Sequence, residues 1–139
     1  MPNGKIFLDA SYAIALASQR DRHHPRAAAL AAQLKTARTR LITTRAVLLE
    51  IGNALAKQRF RPAAMQLLAA LETDPSIEIV ALSAELYAQA LHLFCERPDK
   101  EWGLTDCLSF VVMQTRGLSE ALTADEHFRQ VGFRALLRE

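Results

Sequence analysis

Short apolar runs alternate with helical patterns along this chain of 139 residues, and that alternation leaves few folds open. Ile6–Leu8, Leu41–Thr43, Ile77–Val80 and Ala121–Thr123 have strand lengths, and Phe133–Leu137 adds a last edge strand. Between them the pattern turns helical. A short helix follows Asp9. Pro25 suits a first helical position, and Ala27, Leu30, Ala31 and Leu34 recur at helical spacing up to about Arg38. Thr44 can cap a helix from Arg45 to about Lys57, Pro62 opens another through Leu71, and Ser83 caps a third to about Phe94. Cys107 to Met113 is apolar on nearly every side, which predicts a helix buried in the middle of the domain and stopped by Gly117. Glu126–Gln130 makes a last short helix. Strands alternating with helices connect by right-handed crossovers, so the expected fold is α/β: a three-layer α/β/α arrangement around a central, mainly parallel sheet.

The length has room for one hydrophobic core, and residues 1–139 are read as a single domain. An apolar share of 50% with 23% charged residues excludes intrinsic disorder. The net charge of +2 is too small for non-specific polyanion binding to be the default, so any nucleic-acid site must arise from local clustering. Cys95 and Cys107 fit neither a disulfide framework nor a zinc spacing, which suggests reduced thiols in the cytoplasm. Ile6 to Ala17 imitates a signal peptide, but Asp9 in its middle argues against one, and no apolar run approaches ~18 residues. The expectation is a soluble cytoplasmic protein with no membrane segment.

In an open α/β sheet the ligand cleft lies at the carboxyl ends of the strands. Asp9 directly follows the first strand, and Asp125 follows the fourth with only Ala124 between. Each could equally be a helix N-cap. Asp106 opens the buried helix behind Thr105; it could serve the helix dipole, yet a carboxylate on a buried helix end needs a partner or a cation. Glu50 falls on the flank of the stripe formed by Val47, Leu48, Ile51 and Leu55, where it faces either solvent or the cleft. Four carboxylates in one cleft repel one another unless cations neutralise them, and oxygen-only ligands select magnesium or manganese.

Four blocks in order resemble the motifs of PIN domains, and more narrowly the VapC-type toxins of bacterial toxin–antitoxin pairs. They are Leu8-Asp9-Ala10-Ser11, Leu49-Glu50-Ile51-Gly52-Asn53-Ala54-Leu55, Leu104-Thr105-Asp106-Cys107-Leu108-Ser109-Phe110, and Leu122-Thr123-Ala124-Asp125-Glu126-His127-Phe128 followed by Gly132-Phe133. The resemblance spans essentially the whole chain. It implies a small α/β/α ribonuclease using magnesium or manganese held by Asp9, Glu50, Asp106 and Asp125, inhibited by a cognate antitoxin and often homodimeric. Ala10 stands where the family often carries a small hydroxylated residue, which leaves the hydrogen bonding around Asp9 open.

On this reading the reaction is metal-assisted phosphodiester hydrolysis, with Asp9, Asp106 and Asp125 as ligands and Glu50 completing the site or orienting water. Ser11 and Thr105 either support the acids and contact phosphate or simply cap helices. Arg20, Arg22 and Arg26 cluster with His23 and His24 in the segment after the first short helix, and are candidate RNA contacts. Lys57, Arg59 and Arg61 form a second basic patch. Adjacent histidines do not face one metal, so His23-His24 is set aside. Trp102 either stacks a base or packs. A phospho-accepting signalling domain is excluded by the lack of an Asp after the third strand and a Lys after the last. The alternative kept open is a non-catalytic PIN-fold module that binds RNA or protein.

Overall fold

Ile6, Phe7 and Leu8 are all buried, and the strand they form, β1 (Lys5–Leu8), is the middle of a five-stranded sheet. The structure is a computed structural model that describes residues 5–139; Gly4, read as the boundary before this strand, lies outside them. The elements follow as α1 (Ala10–Ala17), α2 (His24–Ala37), β2 (Arg40–Thr44), α3 (Arg45–Ala54), α4 (Arg61–Thr73), β3 (Ile77–Val80), α5 (Ala84–Glu96), α6 (Leu104–Thr115), β4 (Glu120–Leu122), α7 (Glu126–Val131) and β5 (Arg134–Ala135). All neighbouring strands are parallel, in the order β3-β2-β1-β4-β5. Phe7 stands opposite Ile42 of β2 on one side and Ala121 of β4 on the other.

The chain steps from β1 to β2 to β3 in one direction and then jumps back past β1 to β4 and β5. Right-handed crossovers therefore put α1 to α4 on one face of the sheet and α5 to α7 on the other, giving the expected three layers. The reversal leaves β1 and β4 as the switch point, where no connection covers the carboxyl ends of the strands. Behind that opening, α6 is buried at Cys107, Leu108, Phe110, Val112 and Met113, as its all-round apolar sequence requires. Phe110 meets Trp102 and Phe128 edge to face, with ring centroids 5.2 and 5.0 Å apart. Full burial of a ring such as Phe110 or Phe128 contributes roughly 1.5–3 kcal/mol, so the layer behind the opening is a firm wall.

The capping expectations hold at Thr44 and Ser83, whose hydroxyls accept from Val47 N–H at 3.1 Å and Leu86 N–H at 3.0 Å. Gly117 ends α6 with φ +67°. Thr123, expected in the fourth strand, falls just past β4, and two further boundaries differ. α3 stops at Ala54 instead of Lys57; beyond it the Ala56 carbonyl accepts from the Arg61 guanidinium at 2.7 Å and the Lys57 carbonyl from the Phe60 and Arg61 N–H groups, which turns the chain toward α4. The expected last strand, Phe133–Leu137, shrinks to Arg134–Ala135 followed by a 3-10 turn at Leu136–Arg138. There the Leu137 N–H donates to the Thr123 carbonyl at 3.1 Å, and Arg138 Nε donates to the Ala124 carbonyl at 2.8 Å. The turn thus braces the segment leaving β4. Cys95 is exposed, Cys107 buried, and neither is bonded to another cysteine.

Candidate active site

Because β1 and β4 are neighbours, the acids that follow them lie side by side at the carboxyl edge. Asp106 comes from the first turn of α6 and Glu50 from the middle of α3. All four line one cleft of about 470 Å³, together with Ser11, Gly103, Leu104 and Thr105. No Lys or Arg is among the described residues lining it.

Asp9 is 5% exposed. It occupies the N-cap position of α1 yet makes no capping hydrogen bond, which removes the helix-cap explanation of this residue. Its Oδ2 instead accepts from Thr123 Oγ1 at 2.7 Å and from Ser11 Oγ at 3.0 Å. The same hydroxyls accept backbone N–H groups from the other strand exit: Ala124 onto Ser11 Oγ at 2.9 Å, Asp125 onto Thr123 Oγ1 at 3.0 Å. Ser11 and Thr123 thus supply the hydrogen bonding that Ala10 cannot, and they tie the exits of β1 and β4 together.

Asp125 does cap its helix, its Oδ1 accepting from His127 N–H at 2.9 Å. Asp106 Oδ2 accepts from Gly103 N–H at 3.1 Å and faces His127 Nδ1 at 3.0 Å. The same ring nitrogen lies 3.3 Å from Asp125 Oδ1. Asp106, Asp125 and His127 offer ligand atoms within 4.8 Å of one another. Burial pushes the Asp9 carboxyl up to about 6, opposed by the Thr123 and Ser11 hydrogen bonds and helped by the Asp106 charge. Burial, then the charges of Asp9, Asp106 and Asp125, push Glu50 up to about 7. Burial also raises Asp106, against the hydrogen bond from His127. Clustered carboxylates in a cleft with no Lys or Arg among the described residues lining it are a donor set that fits magnesium or manganese.

Glu50 is half-buried and looks into the cleft, not out to solvent. Thr105 lines the cleft as well; its carbonyl accepts from Ser109 Oγ at 3.1 Å. Arg20 and Arg22 are exposed in the loop after α1, whereas Arg26, half-buried in α2, donates to the Leu136 carbonyl at 3.2 Å. None of the three lines the cleft. Trp102 is a packing residue, its Nε1 donating to Gln130 Oε1 at 2.8 Å and its ring set against Phe110. His24 Nδ1 lies 2.8 Å from the Ala15 carbonyl and so joins the first two helices. Sequence reasoning assigned no part to Thr123 or His127. Their signal was position alone, two residues either side of Asp125 in the fourth block.

The PIN domain family model matches residues 6–134. The chain belongs to the PIN domain family. This PIN domain is 28% identical over 128 residues to the 23S rRNA-specific endonuclease VapC20 of Mycobacterium tuberculosis, in strains CDC 1551 / Oshkosh and H37Rv, with 92% of this chain and 95% of the relative covered. The crystal structure of VapC20, described as a Sarcin-Ricin loop cleaving toxin, matches with a TM-score of 0.80 at 26% identity over 92% of this chain and 95% of that one. VapBC2 from Rickettsia felis, solved bound to a DNA fragment from its promoter, shares the fold with a TM-score of 0.69 at 14% identity, covering 94% and 96%. No helix among the described residues is long and apolar enough to cross a membrane.

Proposed function

We propose that this PIN domain is a magnesium- or manganese-dependent endoribonuclease, the cytoplasmic toxin of a toxin–antitoxin pair. The observation that carries this is the convergence of Asp9, Glu50, Asp106 and Asp125 in a cleft lined by no Lys or Arg among the described residues, in a chain whose relative over nearly its whole length is a 23S rRNA-specific endonuclease. Asp9, Asp106 and Asp125 would hold the ion, with Glu50 completing the site. Bound there, it supplies a water of lowered pKa and charge stabilisation at the scissile phosphate. Ser11 and Thr123 hold Asp9 in place through its Oδ2. Glu50, raised to about 7, suits the transfer of a proton from the attacking water near neutral pH. Thr105, on the cleft wall, would contact substrate phosphate, and the exposed Arg20 and Arg22, with Arg26 behind them, would offer a basic approach for RNA.

The test is incubation of pure protein with structured RNAs, including large-subunit rRNA fragments, with magnesium, with manganese and with chelator. Cleavage is expected only with metal, and the product of the neighbouring gene, co-expressed, is expected to co-purify and suppress it. A cleft of this charge suits a partner's Arg or Lys. Intact RNA throughout, with RNA or a protein partner still bound, would instead favour the non-catalytic module.

The homodimer belongs to the same proposal. Tyr87, Leu91 and Phe94 are 44%, 39% and 45% exposed along one side of α5, and Leu49 and Leu82 extend the patch beside Tyr87. An exposed apolar patch of this kind is the usual sign of an interface. Leu91→Glu is expected to convert a dimer to a monomer in light scattering with the melting temperature of the subunit kept; a wild-type monomer at micromolar concentration would refute it.

A further inference from the structure

We infer that His127 is a positioning residue, a side-chain donor that holds Asp106 in place and stands against Asp125, and not itself a metal ligand. The inference rests on the metal-dependent reading above and names a part that the four acids do not cover.

His127 Nδ1 lies against Asp106 Oδ2 at 3.0 Å and Asp125 Oδ1 at 3.3 Å. A carboxylate oxygen accepts, so the hydrogen sits on Nδ1 and is donated to Asp106, with Asp125 Oδ1 in contact beside it but outside hydrogen-bond geometry. The same oxygens also take backbone donors: Gly103 N–H on Asp106 Oδ2, His127's own N–H on Asp125 Oδ1. Asp9 repeats the arrangement, with the hydroxyls of Ser11 and Thr123 both donating to Oδ2. In Asp9 and Asp106 two donors thus converge on Oδ2, and in Asp125 a backbone donor and the imidazole contact converge on Oδ1. That convergence on one oxygen is the mark of carboxylates oriented for a cation, with the engaged oxygen fixing the plane of the group. A ring nitrogen that donates its hydrogen to Asp106 has no lone pair to offer a metal at Nδ1.

His127 also couples elements that would otherwise set the two acids independently. Asp106 stands at the start of α6 and Asp125 at the start of α7. One imidazole joins both starts.

The experiment is manganese binding by calorimetry on the whole chain, in the wild type, His127→Leu and His127→Asn, with metal-free melts alongside. Asn carries an N–H at the same bond count from the backbone as Nδ1. His127→Leu is expected to bind manganese about 10–100-fold more weakly, the usual loss when a supporting hydrogen bond is removed. His127→Asn is expected to recover most of that loss. If the Leu variant does not fold, His127→Gln replaces it, since its amide sits one bond too far out and should bind as weakly. Wild-type affinity in the Leu or Gln variant overturns the inference alone. So does an Asn variant as weak as Leu, which would mean that the ring itself binds the metal. A wild type that binds no manganese overturns the metal-dependent reading and this inference together.

Discussion

Asp9→Asn is expected to abolish metal-dependent RNA cleavage while leaving the fold intact. The amide can present its oxygen where Oδ2 now accepts from Ser11 and Thr123, so the tie between the two strand exits survives. The NH₂ group then takes the place of the other oxygen, putting a donor where a ligand is needed and removing one negative charge. The loss in rate should exceed the roughly 10–100-fold that follows from removing a mere supporting contact at such a site. A helix cap would behave otherwise, because Asn caps about as well as Asp, and here the carboxylate makes no capping bond at all. The metal-free variant should melt at or above the wild-type temperature, since one repelling charge has gone from the cluster. Retained magnesium-dependent cleavage, in a preparation shown free of contaminating nuclease, would remove Asp9 from the chemistry and weaken the case for the other three acids.

Manganese is expected to stabilise the protein, and most strongly at the pH where the metal-free form is weakest. A ligand that binds only the native state contributes about 2.7 kcal/mol at 100-fold excess over its Kd. For a domain of this length that corresponds to a rise in Tm of roughly 10 °C. The pH dependence follows from the raised carboxyls. Asp9 at about 6 and Glu50 at about 7 hold protons in the native state that the unfolded chain has already released, so between about pH 4 and pH 7 stability falls as pH rises. For the buried Asp9 the loss is on the order of 3 kcal/mol across that window. The metal-free protein should therefore melt higher at pH 5 than at pH 8, manganese should close the gap at pH 8, and Asp9→Asn should flatten the slope. A metal-free Tm that is level from pH 4.5 to 8, or that millimolar manganese leaves unmoved at pH 8, would show that the four carboxylates are not a repelling cluster in need of a cation.

Much of the site was legible because the signals were local. Strand-length apolar runs end at Leu8 and just before Asp125, helices begin directly after, and parallel topology sends both ends to one edge. Those relations depend on the period of the side chains and on the handedness of crossovers, which hold for any chain of this pattern. The apolar character of Cys107–Met113 likewise told that Asp106 would start a buried helix, and burial is what raises its carboxyl. At the far end the local signal misled: Phe133–Leu137 has strand composition, but its last residues turn back to bond the segment leaving β4.

What no local pattern contained was the choice between two equal explanations at each acid. Both Asp9 and Asp125 stand at N-cap positions, yet only Asp125 caps, because Asp9 accepts instead from the nearby Ser11 and from Thr123, which reaches it across more than a hundred residues of chain. Glu50 sits on a helix flank that by itself could face water or the cleft, and the packing of α3 against α1 and α6 turned it inward. His127 reaches Asp106 from a different helix. Sequence alone thus determined that Asp9 and Asp125 arrive at the carboxyl edge, since strand ends and crossover hand are local and general. Which oxygens are held and what holds them was decided only by tertiary packing, because hydrogen bonds between separate elements depend on distances that the chain does not carry until it has folded.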